Sequence, residues 1–312
     1  MRNNNGIAVL IPSYDRPEIL KITLRKWLEA NFIDKIFLVA EASSRDILDK
    51  YKEVIMEYNK NGQIVYKLTL KRLGSVKARN ALLEMASKHN CKYVVMADDD
   101  YILPDRNSLI LMVRRLDLND RLGAVGGKVI VKSRRKDPDF FLNLPWNLAD
   151  LASRLVGYVF LDIKHGPRIS EFLPHFFMLR TRILDGGIRY DEVFDTPTGF
   201  REESDFQQQI KYMGYSLLYE PKAYVIHLAA EKGGDRPEKM KMKERMYWKA
   251  RNNTIFIFKW NKSILKKVWY ILSSILILSL YRPWHVLQIF RGVKDGMNYF
   301  AKTQFGLRLL RK

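Results

Sequence analysis

The stretch "VVMADDDYILP", residues 94–104, runs apolar, sets three carboxylates side by side at Asp98, Asp99 and Asp100, and turns apolar again. Adjacent ionised carboxylates repel one another, and taking them out of water is costly unless something positive pairs with them. A cation meets that need. In extended backbone alternate side chains share a face, so Asp98 and Asp100 are expected on one side and Asp99 on the other. Hard divalent ions take oxygen ligands, and Mg2+ is commonly held by a carboxylate or two together with substrate phosphates. The pattern points to Mg2+ or Mn2+ carrying a phosphorylated ligand. An acidic turn before a helix near Pro104 would produce the same three letters.

The flanking sequence decides between these readings. Upstream, strand-like runs at 6–14, 35–43, 63–70 and 92–100 alternate with helix-like runs at 16–31, 44–62 and 75–90. Such alternation predicts an α/β fold, with a mainly parallel sheet flanked by helices on both faces. Ligands of such sheets sit beyond the carboxyl ends of the strands. Those ends carry Asp15 and Arg16, Glu41, the segment from Arg72 to Lys77, and the three aspartates. Four segments thus deliver polar groups to one rim, which favours a binding site over a solvated turn. No Walker loop and no Gly-x-Gly-x-x-Gly follows the first strand, so P-loop and dinucleotide sites are disfavoured.

A chain of 312 residues, 47% hydrophobic, can bury a sizeable core. Its one cysteine, Cys91, rules out an internal disulfide and a Cys-rich metal site. The N-terminus reaches a strand by about Ile7 without a long apolar leader, so no secretory signal is expected. The net charge of +20 is unevenly spread: residues 239–312 hold 17 Lys and Arg against two acidic residues. This predicts a soluble unit at 1–238 followed by a basic helical appendage at 239–312 that meets an anionic membrane. The most apolar run, 268–281, is about 14 residues, short of the roughly 20 that span a bilayer core, so a peripheral placement is expected. A basic tail also suits RNA or DNA, but no nucleic-acid motif accompanies it.

Downstream, "GFREESDFQQQIKYMG" (199–214) places Glu202, Glu203 and Asp205 where a helix starts, with Gly214 as its expected end. A helix N-terminus favours the ionised carboxylate, which suits a general base. "YVIHLAAEKGG" (224–234) puts His227 at a strand end before a glycine-containing loop, 229–239, with the composition of a lid. The aromatic-rich segment 137–177 interrupts the alternation, and its aromatics suit packing into the core at least as well as folding over a bound substrate.

Together, "IPSYDRPEIL", "LGSVKARNALLEMA", "MADDDYILP", "FFMLRTRILDGGIRYDEVF" and the segment 199–229 resemble, in order, the family 2 glycosyltransferases with the GT-A fold. The resemblance covers roughly residues 6–230 and implies a nucleotide-binding half at 1–100 and an acceptor half at 101–238. It implies an inverting transfer from a nucleotide-diphosphate sugar, UDP being the commonest donor base, with a divalent Mn2+ or Mg2+ at the acidic motif. By position it implies Pro12, Asp15, Arg16, Glu41, Lys77, Arg79, Asp98 and Asp99 as donor-side residues, and Asp100, Asp98 and His227 as metal ligands. Glu203 stands where the family generally carries the base, an Asp, and Glu202 remains the alternative. His175 and Asp205 are placed on the acceptor side. No Gln/Arg-x-x-Arg-Trp follows the base, which implies single-sugar transfer, and a lipid-linked glycan is the expected acceptor. Two other classes fit parts of the pattern: a sugar-phosphate nucleotidyltransferase, and a non-enzymatic membrane or nucleic-acid binding module.

Overall fold

The computed structural model describes residues 6–131, 148–230, 233–234 and 240–309. Strand β1 (Ile7–Tyr14) is apolar nearly throughout because both of its faces are covered. Ile7, Val9 and Ile11 enter one core with Leu20, Leu24 and Trp27 of α1 (Pro17–Glu29) and Tyr51, Val54 and Ile55 of α2 (Arg45–Tyr58). Ala8 and Leu10 enter a second core with Val76, Leu82, Leu83 and Ala86 of α3 (Ser75–Ser87). The two-residue period of a strand thus assigns each side chain to a layer. Every fully buried Leu or Ile in these layers contributes roughly 1.5–3 kcal/mol over its exposed state.

The helix ends follow from local chemistry. Pro17 opens α1, where a missing N–H costs nothing. Ser44 caps α2 by accepting from the Ile47 amide at 3.3 Å.

The remaining elements are β2 (Lys35–Glu41), β3 (Ile64–Thr69), β4 (Tyr93–Met96), β5 (Tyr101–Ile102), α4 (Asn107–Leu118), β6 (Leu122–Val131), α5 (Leu148–Val156), β7 (Arg168–Ile169), β8 (Phe177–Arg180), α6 (Glu202–Tyr212), β9 (Ser216–His227), α7 (Met242–Trp260), α8 (Ile264–Tyr281) and α9 (Val286–Leu309). They build a mixed sheet in the order β3-β2-β1-β4-β8-β6-β9-β5, with β7 also on β9. Strands β1 to β4 pair in parallel, β8 runs antiparallel between β4 and β6, and β6 pairs in parallel with β9.

Two expectations need correction. The fourth strand ends at Met96, not at residue 100, and Asp98 to Asp100 form a turn closed by the Tyr101 amide on the Asp98 carbonyl at 3.2 Å. The alternation argument for their faces therefore does not apply. The apolar run of the appendage belongs to an 18-residue helix, α8, whose mean hydropathy of 1.5 makes it long and apolar enough to cross a membrane by length and composition. The aromatics Tyr158, Phe160, Phe172, Phe176 and Phe177 take the core-packing role that their sequence allowed. Residues 132–147 and most of the expected lid lie outside the described residues.

Candidate active site

A cavity of about 850 Å3 lies beyond the carboxyl ends of β1, β2 and β4. On one side Pro12, Ser13, Tyr14 and Arg16 line it as β1 ends. Glu41, at the end of β2, accepts from the amides of Leu73 (2.6 Å) and Gly74 (3.2 Å), which fastens the loop that leads into α3. Gly74 has φ 88°, and a Cβ there would stand 2.8 Å from Asp195 Oδ2 on the opposite wall. Only glycine supplies both the left-handed backbone and the close approach. The Arg72 guanidinium lies 4.3 Å above the Tyr14 ring.

The acidic turn sends its three carboxylates to different partners. Asp99 accepts from Ser13 Oγ (2.6 Å) and Arg16 (3.1 Å). Asp100 Oδ2 meets His227 Nε2 at 3.0 Å and Arg16 at 3.4 Å. Sheet register explains the His227 contact, since Tyr101 pairs with His227 across β5 and β9 and brings the histidine beside the residue before Tyr101. Asp98 turns to Arg79 Nη2 (3.1 Å) and His175 Nε2 (3.0 Å). Met96 pairs with Phe177, so His175, two residues before Phe177, falls just past the end of β4.

Arg79 joins this turn to the start of α6. Besides Asp98 it contacts Glu202, and its Nη1 stands 3.8 Å from Glu203. His175 Nδ1 lies 3.2 Å from Glu203 Oε1, off the line of a hydrogen bond. The Glu202 side chain is 4% exposed and that of Glu203 24%, so Glu203 is the carboxylate open to the cavity.

The charges sort accordingly. Burial penalises ionised Asp98, yet His175 and Arg79 prevail and hold its carboxyl well below the usual range. Burial pushes Asp99 up to about 7, with Arg16 opposing and Asp100 adding to the rise. For His175, burial works against the imidazolium, but Asp98 outweighs it and lifts the group to about 9. Burial drives Glu202 up to about 8 against the pull of Arg79. Glu203 also feels burial, but its contact with His175 keeps it below the ordinary carboxylate value. Of the two glutamates, Glu203 is the one held ionised near neutrality.

The structure gathers Pro12, Arg16, Glu41, Arg79, Asp98, Asp99, Asp100, His175, Glu202, Glu203 and His227 around one cavity. Three predicted residues stand apart. Lys77 is half exposed and pairs with Glu192 at 3.5 Å, outside the lining. Asp15 turns away at φ 52° to accept from the Ser43 amide at 2.8 Å. Asp205 is fully buried on α6, outside the lining, where it accepts from Trp260 Nε1 (2.7 Å) and pairs with Lys259 (2.9 Å) of α7. Sequence reading missed Ser13 and the loop Thr196 to Gly199, both in the lining. The Pro-Thr-Gly composition of that loop, just before the α6 carboxylates, was the available signal.

Among the described residues no group of three His, Cys, Asp or Glu side chains converges as a metal cage. Asp100 and His227 come together, while Asp98 faces Arg79 and His175. That donor set fits a divalent ion held by few protein ligands and completed by substrate phosphates.

A mixed sheet with an acidic turn beyond its parallel strands and a pair of carboxylates at a helix start defines a GT-A nucleotide-sugar fold. The family described as "Glycosyltransferase like family 2" matches residues 4–239, and the chain belongs to it. Two solved structures show the same fold. The mannosyltransferase PcManGT from Pyrobaculum calidifontis, in complex with GDP-Man and Mn2+, aligns over 98% of this chain and 81% of its own at TM-score 0.57 and 15% identity. TarS 1-349 of S. aureus, in complex with UDP-GlcNAc, aligns over 88% of this chain and 73% of its own at TM-score 0.59 and 15% identity. No protein of curated function matches the sequence.

Proposed function

We propose that this glycosyltransferase moves one sugar from a nucleotide-diphosphate donor, with UDP favoured, to an acceptor hydroxyl in a metal-dependent, inverting displacement. The observation that carries the reading is the lining of a single cavity by the Asp100–His227 pair at one wall and Glu203 at another. Asp100 and His227 would hold Mn2+ or Mg2+ against the donor diphosphate. Bound there, the ion supplies neutralisation of the charge that grows on the departing diphosphate. Glu203, ionised and accessible, takes the proton of the attacking hydroxyl. A base on the face opposite the leaving group requires inversion at the anomeric carbon. Arg79 and His175 keep the three parts in one frame.

The same proposal places residues 1–238 as the catalytic unit, with halves at 1–100 and 101–238, and residues 239–312 at the cytoplasmic face of a membrane. α8 has the length to span, but it packs along the body: Tyr270, Ser273, Ser274 and Leu278 are buried on one side. Trp269 Nε1 also donates to the Leu155 carbonyl at 2.7 Å. The opposite side exposes Leu265, Val268, Leu272, Leu276 and Leu280, and α5 adds Leu151 and Leu155. Lys262 and Lys266 stand at one end of this apolar face and Arg282 at the other. An anionic leaflet complements both features, which favours α8 lying on the bilayer and a lipid-linked glycan as acceptor.

Calorimetric titration with UDP, GDP, CDP and dTDP, each with and without Mn2+, tests the donor site. Binding of one nucleotide that needs the metal is expected. Absence of binding by all four, with metal present and the protein folded, overturns the reading.

A further inference from the structure

Arg201, the residue before the two α6 glutamates, combines two costs. Its backbone is left-handed (φ 76°, ψ −3°), a conformation that disfavours any side chain with a Cβ. Its guanidinium is 2% exposed, with Nη1 lacking a hydrogen-bond partner among the described residues. Strain and a buried cation persist only where the surroundings over-determine them, and such positions cluster at functional sites.

Those surroundings come from three other elements. Nε donates to Asn253 Oδ1 of α7 at 2.7 Å, and Nη2 donates to the Gly157 carbonyl after α5 at 2.8 Å. Asn253 in turn donates to Ser274 Oγ of α8 at 3.0 Å. The guanidinium carbon lies 4.3 Å from the Phe256 ring centre and 5.3 Å from that of Phe172, within cation–π range. Neighbouring Asn252 is fully buried and donates to the Phe200 carbonyl (3.0 Å) and Thr196 Oγ1 (2.8 Å), so α7 also grips the loop that lines the cavity. On the other side, the Arg201 carbonyl accepts from the Asp205 amide at 2.9 Å and starts α6.

We propose that Arg201 is a positioning residue: clamped by Asn253 and Gly157, it sets the first turn of α6 and thereby the direction of Glu202 and Glu203. The C-terminal helices are then part of the catalytic apparatus and not only its attachment. This rests on the reading of Glu203 as the base.

The test uses the full chain as Asn253→Ala, Asn253→Asp and Arg201→Gln. Asn253→Asp keeps an oxygen acceptor for Nε, and the Ser274 hydroxyl can donate in place of the lost amide contact, so the clamp should hold. Asn253→Ala should speed amide hydrogen exchange at residues 199–206 at least tenfold while the far end of the sheet, at β3, keeps its protection. It should also lower kcat at least tenfold with little change in donor KM, read as nucleoside diphosphate release from whichever UDP- or GDP-sugar the wild type turns over. Unchanged exchange at 199–206 in folded Asn253→Ala overturns the proposal, as does equal loss in Asn253→Asp. Should the wild type turn over no nucleotide sugar, the functional reading fails, and the exchange experiment still judges the clamp. Should Arg201→Gln fail to fold, the two Asn253 variants decide.

Discussion

His227 Nε2 stands 3.0 Å from Asp100 Oδ2, although 127 positions separate them in the chain. The antiparallel pairing of Tyr101 with His227 makes this contact, and it ties the acidic turn to the last strand of the sheet. Removing either partner leaves the other without its neighbour at the wall proposed to hold the ion. Asp100→Asn and His227→Ala should each weaken Mn2+-dependent nucleotide binding about 10–100-fold. Titration with and without Mn2+ checks this, and equal weakening in metal-free buffer would assign both residues a merely structural part.

Glu203 and Glu202 are predicted to differ. Glu203→Gln should retain donor affinity and lose roughly 10^2–10^4 in turnover, the range typical of general acid–base catalysis. Glu202→Ala removes the buried partner of Arg79 and should show in thermal stability as well as rate. Near-normal turnover by Glu203→Gln would move the base elsewhere.

Gly74→Ala adds a Cβ to backbone at φ 88° and thrusts it within 2.8 Å of Asp195 Oδ2. The left-handed strain alone is about 1–2 kcal/mol. A lower melting temperature and weaker nucleotide binding are expected, with Gly187→Ala (φ 74°, no atom within 4 Å of its Cβ) losing stability but not affinity.

Lys259 links α7 to α6 through buried Asp205. Burial alone would lower its pKa, but Asp205 and Asp191 raise it above the usual lysine value. A folded-state pKa raised in this way gives stability that is complete below the unfolded value of about 10.4 and is lost as pH climbs through the folded one. Melting temperatures of wild type and Lys259→Gln should therefore differ near neutrality and converge above that value. A constant difference across the alkaline range would remove the ion pair from the account.

The exposed stripe on α8 should govern vesicle binding. Leu272→Glu with Leu276→Glu is expected to abolish co-sedimentation with anionic vesicles while leaving soluble nucleotide binding intact. Raising ionic strength from about 0.05 to 0.5 M should weaken wild-type binding, because screening shortens the reach of the flanking lysines. Binding that ignores both changes would detach the appendage from the membrane.

Much was legible in the sequence because it is local. The apolar period of residues 7–14 and its alternation with helical runs determined the parallel half of the sheet, since a strand buried on both faces must be apolar on both. The three aspartates and the glutamates at 202 and 203 stood out because clustered like charges demand partners. Tertiary structure alone decided which partner each received. Nothing local tells that Asp98 turns to Arg79 and His175 while Asp100 meets His227, or that Asp205 is buried against Trp260. Those outcomes depend on strand register between β4 and β8 and between β5 and β9, and on the docking of α7 against α6. Arg201 was silent for the same reason. Its significance lies in a buried clamp formed by residues 44 and 52 positions away, and such long-range pairing leaves no mark on the residues next to it.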